Sequence, residues 1–145
     1  MKRLLPRFLY GFASASIEPI NMSVPWAPSD SDGLFQMNRS LQRAELANLR
    51  NWAHTNKGER VYDAEFGLDA YRHLFDPAIF TRDVLRTNAR EQLSKYFSYL
   101  TIKELDFLTN EEDQTLDANS IRMILKAELS SDPSISLDIN EVFQK

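Results

Sequence analysis

The stretch Leu100-Thr101-Ile102-Lys103-Glu104-Leu105-Asp106-Phe107-Leu108-Thr109 decides the fold. Upstream of it apolar residues recur at helical spacing; within it they recur at every second position. Lys103, Leu105, Phe107 and Thr109 alternate with Ile102, Glu104, Asp106 and Leu108, which predicts a strand with one face on a core. The pattern returns twice. Ile121, Met123, Leu125, Ala127 and Leu129 line one face of a second strand, opposite Arg122, Lys126 and Glu128. After turn residues Ser130–Ser134, Ile135, Leu137, Ile139 and Phe143 alternate with Ser136, Asp138 and Asn140 in a third, terminal strand. The polar, acidic stretch Asn110–Asn119 is read as the loop joining the first two.

Before Leu100 the period is helical. Phe80, Val84, Leu85, Ala89, Leu93, Tyr96, Phe97 and Leu100 form one face of a long helix, with Arg82, Asp83, Arg86, Arg90, Glu91 and Lys95 on the other. Run from Pro77 to Leu100, such a helix is about 36 Å long. Asp76 suits its cap and Pro77 its first position. An earlier helix is expected from Leu34, on Leu34, Met37, Leu41, Ala44, Leu49, Trp52 and Ala53, with Asn38 or Ser40 as its cap and Asn56 and Gly58 at its end. Between the two, Phe66, Leu68, Tyr71, Leu74 and Phe75 fit two helical turns. The prediction is an α+β fold: an N-terminal extended arm, then two to three helices packed on a small antiparallel C-terminal sheet.

The arm is assigned to residues 1–33 and the domain to residues 34–145. Pro6, Pro19, Pro25 and Pro28 interrupt every helix the arm might form, yet Phe8, Tyr10, Phe12 and Trp26 stand among its apolar residues. A segment of that composition needs a surface to lie on, its own domain or a partner. Met1-Lys2-Arg3-Leu4-Leu5 and Ala13-Ser14-Ala15 imitate a secretory leader, but Pro6 and Arg7 break its apolar region, so an ordered arm is expected.

Composition removes several function classes. The 145 residues are 43% apolar and 26% charged, ordinary globular usage, with no cysteine for disulfides, thiolate chemistry or cysteine-held metals. A net charge of −4 argues against general nucleic-acid binding, and no apolar run approaches a membrane span. That charge is unevenly spread: residues 1–60 hold eight basic and five acidic side chains, residues 61–145 nine and sixteen. Glu104, Asp106, Glu111, Glu112, Asp113 and Asp117 have no basic neighbour in sequence.

Catalytic patterns are sparse. His54 and His73, the two histidines, match no metal-binding or catalytic spacing and are read as structural. No metal and no cofactor is expected; four glycines form no phosphate cradle, and the acidic loop lacks the calcium-loop spacing. Glu59, Asp63, Glu65 and Asp69 are numerous enough to suggest a carboxylate glycosidase, with Glu59 and either Glu65 or Asp69 as its pair.

The segment Gly58-Glu59-Arg60-Val61-Tyr62-Asp63-Ala64-Glu65-Phe66-Gly67-Leu68, continuing to Leu74-Phe75-Asp76-Pro77, stands apart. It resembles the motif of the contractile-tail baseplate wedge family, or sheath initiators, shared by myophages, contractile bacteriocins and the type VI secretion baseplate and including phage lysozyme-like wedge subunits. Gly58, Glu59, Arg60, Phe66, Gly67, Leu74, Phe75 and Pro77 match that motif in order and spacing. The likeness spans residues 34 to 143, and Val24-Pro25-Trp26 is similar to the Pro-aromatic lead-in of many members. One departure stands out: where the family has Glu-Pro-Arg before its first strand, this chain has Tyr96-Phe97-Ser98-Tyr99-Leu100.

The resemblance implies a structural, non-enzymatic virion protein of the tail baseplate, assembled in the host cytoplasm. Its implied partners are other wedge subunits, the tail sheath protein and the tail tube or hub, with neither nucleic acid nor membrane among them. It implies a wedge-core interface at Gly58, Glu59, Arg60, Phe66 and Gly67, with Phe97 and Tyr99 as an aromatic replacement for the missing charged motif. Because sheath subunits in this family exchange strands, Ile135, Leu137, Ile139 and Phe143 mark a strand offered to the first sheath ring. Phe8, Tyr10, Phe12 and Trp26 are assigned to arm contacts. The rival classes are the tail-associated glycosidase and an intracellular adaptor outside any phage. For the arm, mass spectrometry of mature protein should find an uncleaved N-terminus; cleavage after Ala15 would overturn that expectation.

Overall fold

The computed structural model describes residues 19–23, 27–29, 31–32 and 34–144. Two short strands, β1 (Asn21–Met22) and β2 (Met37–Asn38), pair antiparallel. Helix α1 (Leu41–His54) follows, then a 3-10 turn (Ala70–His73), helix α2 (Ala78–Tyr96) and strands β3 (Leu100–Thr109), β4 (Ile121–Leu129) and β5 (Ser136–Phe143). The last three form one antiparallel sheet in the order β3-β4-β5. This is the expected α+β meander, with the two helices on the sheet's apolar face.

The core explains the order. Leu105 and Phe107 of β3, alternate residues Ile121 to Leu129 of β4, and Leu137, Ile139 and Phe143 of β5 are buried. They meet Leu49, Trp52 and Ala53 of α1 and Leu85, Ala89 and Leu93 of α2. Trp52 is fully buried, edge-on to Phe97 at 6.0 Å between ring centroids.

Several boundaries differ from expectation, each for a local reason. The first helix starts at Leu41, because Ser40 caps it by accepting from the Arg43 N–H at 3.3 Å, while Met37 pairs in β2 instead. Leu34 is exposed rather than on a helix face. That helix ends at His54, before Asn56 and Gly58. The segment Phe66–Phe75 forms one 3-10 turn rather than two helical turns, because its N-terminal half runs as backbone against the end of α1. Helix α2 stops at Tyr96, giving about 28 Å. Pro77 is its cap residue rather than its first position, and the Asp76 side chain contacts His73 instead of capping. Phe80 and Val84, placed on the apolar face by spacing, are 69% and 40% exposed, and Thr81 and Gln92 are buried in their stead. Residues Ile20 to Ser23 are tied to the domain: the Ile20 N–H donates to the Asn38 carbonyl at 2.8 Å, and the Ser23 N–H to that of Gln36 at 2.9 Å.

Strand β3 carries a β-bulge between Ile102 and Glu104. Leu105 and Phe107 stand opposite Leu125 and Met123, whereas Leu100 and Ile102 stand opposite Leu129 and Ala127. The extra residue, Lys103, changes which parity faces the core, so Ile102 joins the Leu100 row and not the Glu104 row that alternation gave it.

Gly67 has the tightest backbone requirement. Its φ is +122°, and a Cβ there would lie 2.3 Å from the Thr55 carbonyl oxygen. Gly58, at φ +91°, has open space around it. Gly67→Ala is therefore expected to cost about 2–4 kcal/mol, since strain and a backbone clash combine. Gly58→Ala should cost roughly 1–2 kcal/mol, from the left-handed conformation alone. Urea unfolding of the two variants checks the order, and equal losses would contradict it.

Candidate protein-interaction surface

The conspicuous segment after α1 is built as a closed loop on a buried foot. Its rim begins where the Gly58 N–H donates to the Ala64 carbonyl at 2.8 Å. Glu59 turns back onto Asn56, accepting from its backbone N–H at 2.9 Å and from its side-chain amide at 2.8 Å. Those two bonds, the backbone one first, hold the Glu59 carboxyl below its ordinary value. Arg60 lies flat over the Phe66 ring, 3.8 Å from its centroid. Beyond Arg60 the tip residues Val61 and Tyr62 are 88% and 102% exposed.

The foot is Phe66-Gly67-Leu68-Asp69, all buried. Phe66 meets Tyr96 edge-on at 5.1 Å, and the Tyr96 hydroxyl donates to Asp63 at 2.8 Å. Gln92 of α2 brackets Phe66: its amide donates to the Glu65 carbonyl at 2.8 Å and accepts from the Gly67 N–H at 3.2 Å. The Leu68 and Asp69 N–H groups donate to the Trp52 and Thr55 carbonyls, each at 3.3 Å. The following Leu74-Phe75-Asp76-Pro77 turn is held by the Thr81 hydroxyl, within 3.3 Å of the His73, Asp76 and Pro77 carbonyls.

Thus Gly58, Glu59, Arg60, Phe66 and Gly67 come together in one unit, with Glu59 and Arg60 on its surface and Phe66 and Gly67 beneath. Phe97 and Tyr99 do not form an exposed aromatic pair. Phe97 is 6% exposed and packed on Trp52, because it closes the core where α2 ends, so its assignment to a partner contact is corrected. Tyr99 is 43% exposed, and its hydroxyl donates to Glu45 at 2.6 Å. Burial first, then that bond, push its phenol pKa far up, so it donates throughout the neutral range.

The terminal strand is a sheet edge. Leu137, Ile139 and Phe143 are buried, and Ile135, just before the strand, packs against the core, so these four do not present side chains to a partner. What the edge presents is backbone. The Ile135 carbonyl accepts from Leu129, while the Ser136 carbonyl takes the Gln42 amide at 2.7 Å. Alternation then turns the N–H and C=O groups of Asp138, Asn140 and Val142 away from β4, and all three residues are exposed. Phe8, Tyr10, Phe12 and Trp26 lie outside the described residues.

Two contributors escape a sequence reading. Gln92 sits three residues after Ala89 on the apolar face, and that polar intrusion was its signal. Glu141 shares the inward parity of Ile139 and Phe143. It accepts from Arg50 at 2.8 Å and lies 3.4 Å from His54 Nε2, pinning β5 to α1. His54 Nδ1 meets the Tyr71 hydroxyl at 2.8 Å. Burial, then the Glu141 and Glu59 charges, raise the Tyr71 pKa, so its phenol stays protonated as the donor.

The acidic stretch finds basic partners across the fold. Asp106 meets Arg86 at 2.6 Å and Arg82 at 3.4 Å, Arg82 also pairs with Glu112, Arg122 with Asp113, and Lys126 with Glu104 at 2.7 Å. Among the described residues no group of three His, Asp or Glu side chains is placed to hold a metal, and no helix is long and apolar enough to cross a membrane.

No family model matches the chain, and no curated protein matches it either. Two solved structures share its architecture. A chain of the anti-feeding prophage baseplate superposes with a TM-score of 0.60 at 14% identity, covering 75% of this chain and 83% of that one. This is the fold of a baseplate protein. A candidate tail lysozyme from Geobacter sulfurreducens gives 0.57 at 16% identity, covering 74% of this chain and 94% of that one.

The ionic ties between α2 and β3 give an acid dependence. Burial raises the Asp106 carboxyl, but the Phe107 N–H and the Arg82 and Arg86 guanidiniums outweigh it and hold the pKa below 3.8. A depressed folded-state pKa contributes stability above the unfolded value, lost as pH falls through the folded one. Asp106→Asn should therefore lower stability at neutral pH and flatten its decline below about pH 4. Urea midpoints at several pH values check this, and parallel curves would refute it.

Proposed function

We propose that the protein is a structural subunit of a contractile-tail baseplate that links the wedge core to the sheath and starts sheath assembly by strand addition. The observation that carries this reading is the β5 edge: a pre-ordered strand with outward backbone groups at Asp138, Asn140 and Val142, in a fold shared with a prophage baseplate chain. An edge of this kind is an aggregation hazard unless a partner covers it. The Gly58–Gly67 loop, with Arg60 seated on Phe66 and Val61-Tyr62 at its tip, is the surface offered to other wedge subunits, and Tyr99 is a further contact. The arm, through Phe8, Tyr10, Phe12 and Trp26, is the second binding element, laid on a neighbouring tail component. The protein's place is the virion tail.

Deleting β5 would remove Leu137, Ile139 and Phe143 from the core, so the edge is better tested by proline. Asn140→Pro removes an outward N–H while leaving the β4 ladder intact. It should fold, enter baseplates and fail to nucleate sheath; sheaths of normal length on Asn140→Pro tails would refute strand addition. Arg60→Ala should instead block entry into baseplates.

The name of the Geobacter sulfurreducens relative favours a second reading, a carboxylate peptidoglycan glycosidase. Its acid must hold a proton near neutrality, whereas the Glu59 pKa is lowered; Glu65 is exposed, and Asp69 is buried beside Arg72 at 3.4 Å. Purified protein should leave peptidoglycan turbidity unchanged. Clearing that Glu59→Gln abolishes would establish the glycosidase instead.

A further inference from the structure

At the end of the sheet remote from β1 and β2, the turn before α2 and the β3–β4 connection enclose a two-part trough. One part, about 480 Å³, is lined by Phe75, Asp117, Asn119, Ser120 and Gln144, and the adjoining one, about 190 Å³, by Phe75, Asp76, Glu111 and Ser120 among others. Phe75 is 62% exposed and forms a wall common to both. Asp76, Glu111 and Asp117 line the trough, and no Lys or Arg does. Glu112 and Asp113 of the same loop are taken by Arg82 and Arg122, whereas Glu111 and Asp117 appear in no salt bridge among the described residues.

The chain's complementary charge lies at its other end. Residues 1–12 hold Lys2, Arg3 and Arg7 with no acid, among Leu4, Leu5, Phe8, Leu9, Tyr10 and Phe12. The described chain starts at Pro19, beside β1, whose Asn21 amide donates to the Ala44 carbonyl near the start of α1. The trough lies beyond the other end of that helix, where Phe143, next to Gln144, packs on His54. The helix between them is about 21 Å long. Residues 13–18 would span at most about 20 Å fully extended, so reaching the chain's own trough leaves them no slack. Copies placed head to tail in one orientation bring the arm of one directly to the trough of the next.

We propose that this trough binds residues 2–12 of a second copy, with Lys2, Arg3 and Arg7 against Glu111 and Asp117 and an aromatic arm residue against Phe75. The contact is heterologous, so repeating it closes a ring or extends a filament. This inference deepens the baseplate reading and rests on it for its setting, but its test does not.

The test is sedimentation of the full-length chain over a concentration series at low and high salt. Self-association should appear with rising concentration and weaken with salt. Glu111→Lys with Asp117→Lys should weaken it roughly tenfold, as should Lys2→Glu with Arg3→Glu and Arg7→Glu, because each set turns attraction into repulsion. Mixing the two variants leaves a matched pair, reversed trough with reversed arm, only between different chains, so the mixture should associate where each alone does not. Circular dichroism on both variants guards against misfolding. A chain that stays monomeric throughout, association indifferent to either set, or a failed mixture overturns the inference. Association restored only when both sets sit in one chain at monomeric mass would assign the trough to the chain's own arm and equally overturn it. Wild-type incorporation into baseplates reports separately on the function reading.

Discussion

The structure depends on one contact: Phe66-Gly67-Leu68-Asp69 pressed against the C-terminal turn of α1. A helix end leaves carbonyls without intrahelical donors, and burying them unsatisfied is costly. Here the donors come from a passing segment, Leu68 N–H to Trp52 and Asp69 N–H to Thr55, at a separation that leaves no room for a side chain at residue 67. Gln92 grips the same segment from α2. One short stretch of backbone thereby locks both helices together and fixes Trp52, on which the core is built. The Gly58–Ala64 loop is the outward side of that lock, so its shape follows from burial and not from its own contacts.

Charge is organised around the same frame. The acidic residues from Glu104 to Asp117, isolated in sequence, are met in space by Arg82, Arg86, Arg122 and Lys126. The first two carry the pairing from α2 onto β3, so the ionic ties brace one side of the sheet. On the other side Arg50 and His54 hold Glu141. Exposed pairs of this kind contribute little stability each, and their main effect is to set the register of helix against strand.

Much of this was legible in the sequence. The period of two across three segments gave the sheet, because burial of one face leaves no other periodicity, and β4 matched residue for residue. Ser40 was a readable cap. The parity change at Lys103 was not readable, since an inserted residue shows only against its partner strand. Phe66–Phe75 imitated a helix because its apolar residues are spaced for one, while its backbone hydrogen bonds go to α1. Phe97 looked available to a partner because nothing local reveals that Trp52 covers it. The motif residues were visible, and their division into a buried foot and an exposed rim needed the fold.

The bulge at Lys103 has a consequence for growth of the sheet. A bulged strand bends and twists more strongly than a regular one, so β3 coils along its outer margin, where α2 and its arginines also lie. Strand β5 has no such irregularity in its pairing with β4. The two margins are therefore unequal templates, one curled and occupied, the other straight. Any added strand must come from the β5 side, which makes the sheet extensible in one direction and gives the subunit a polarity of its own.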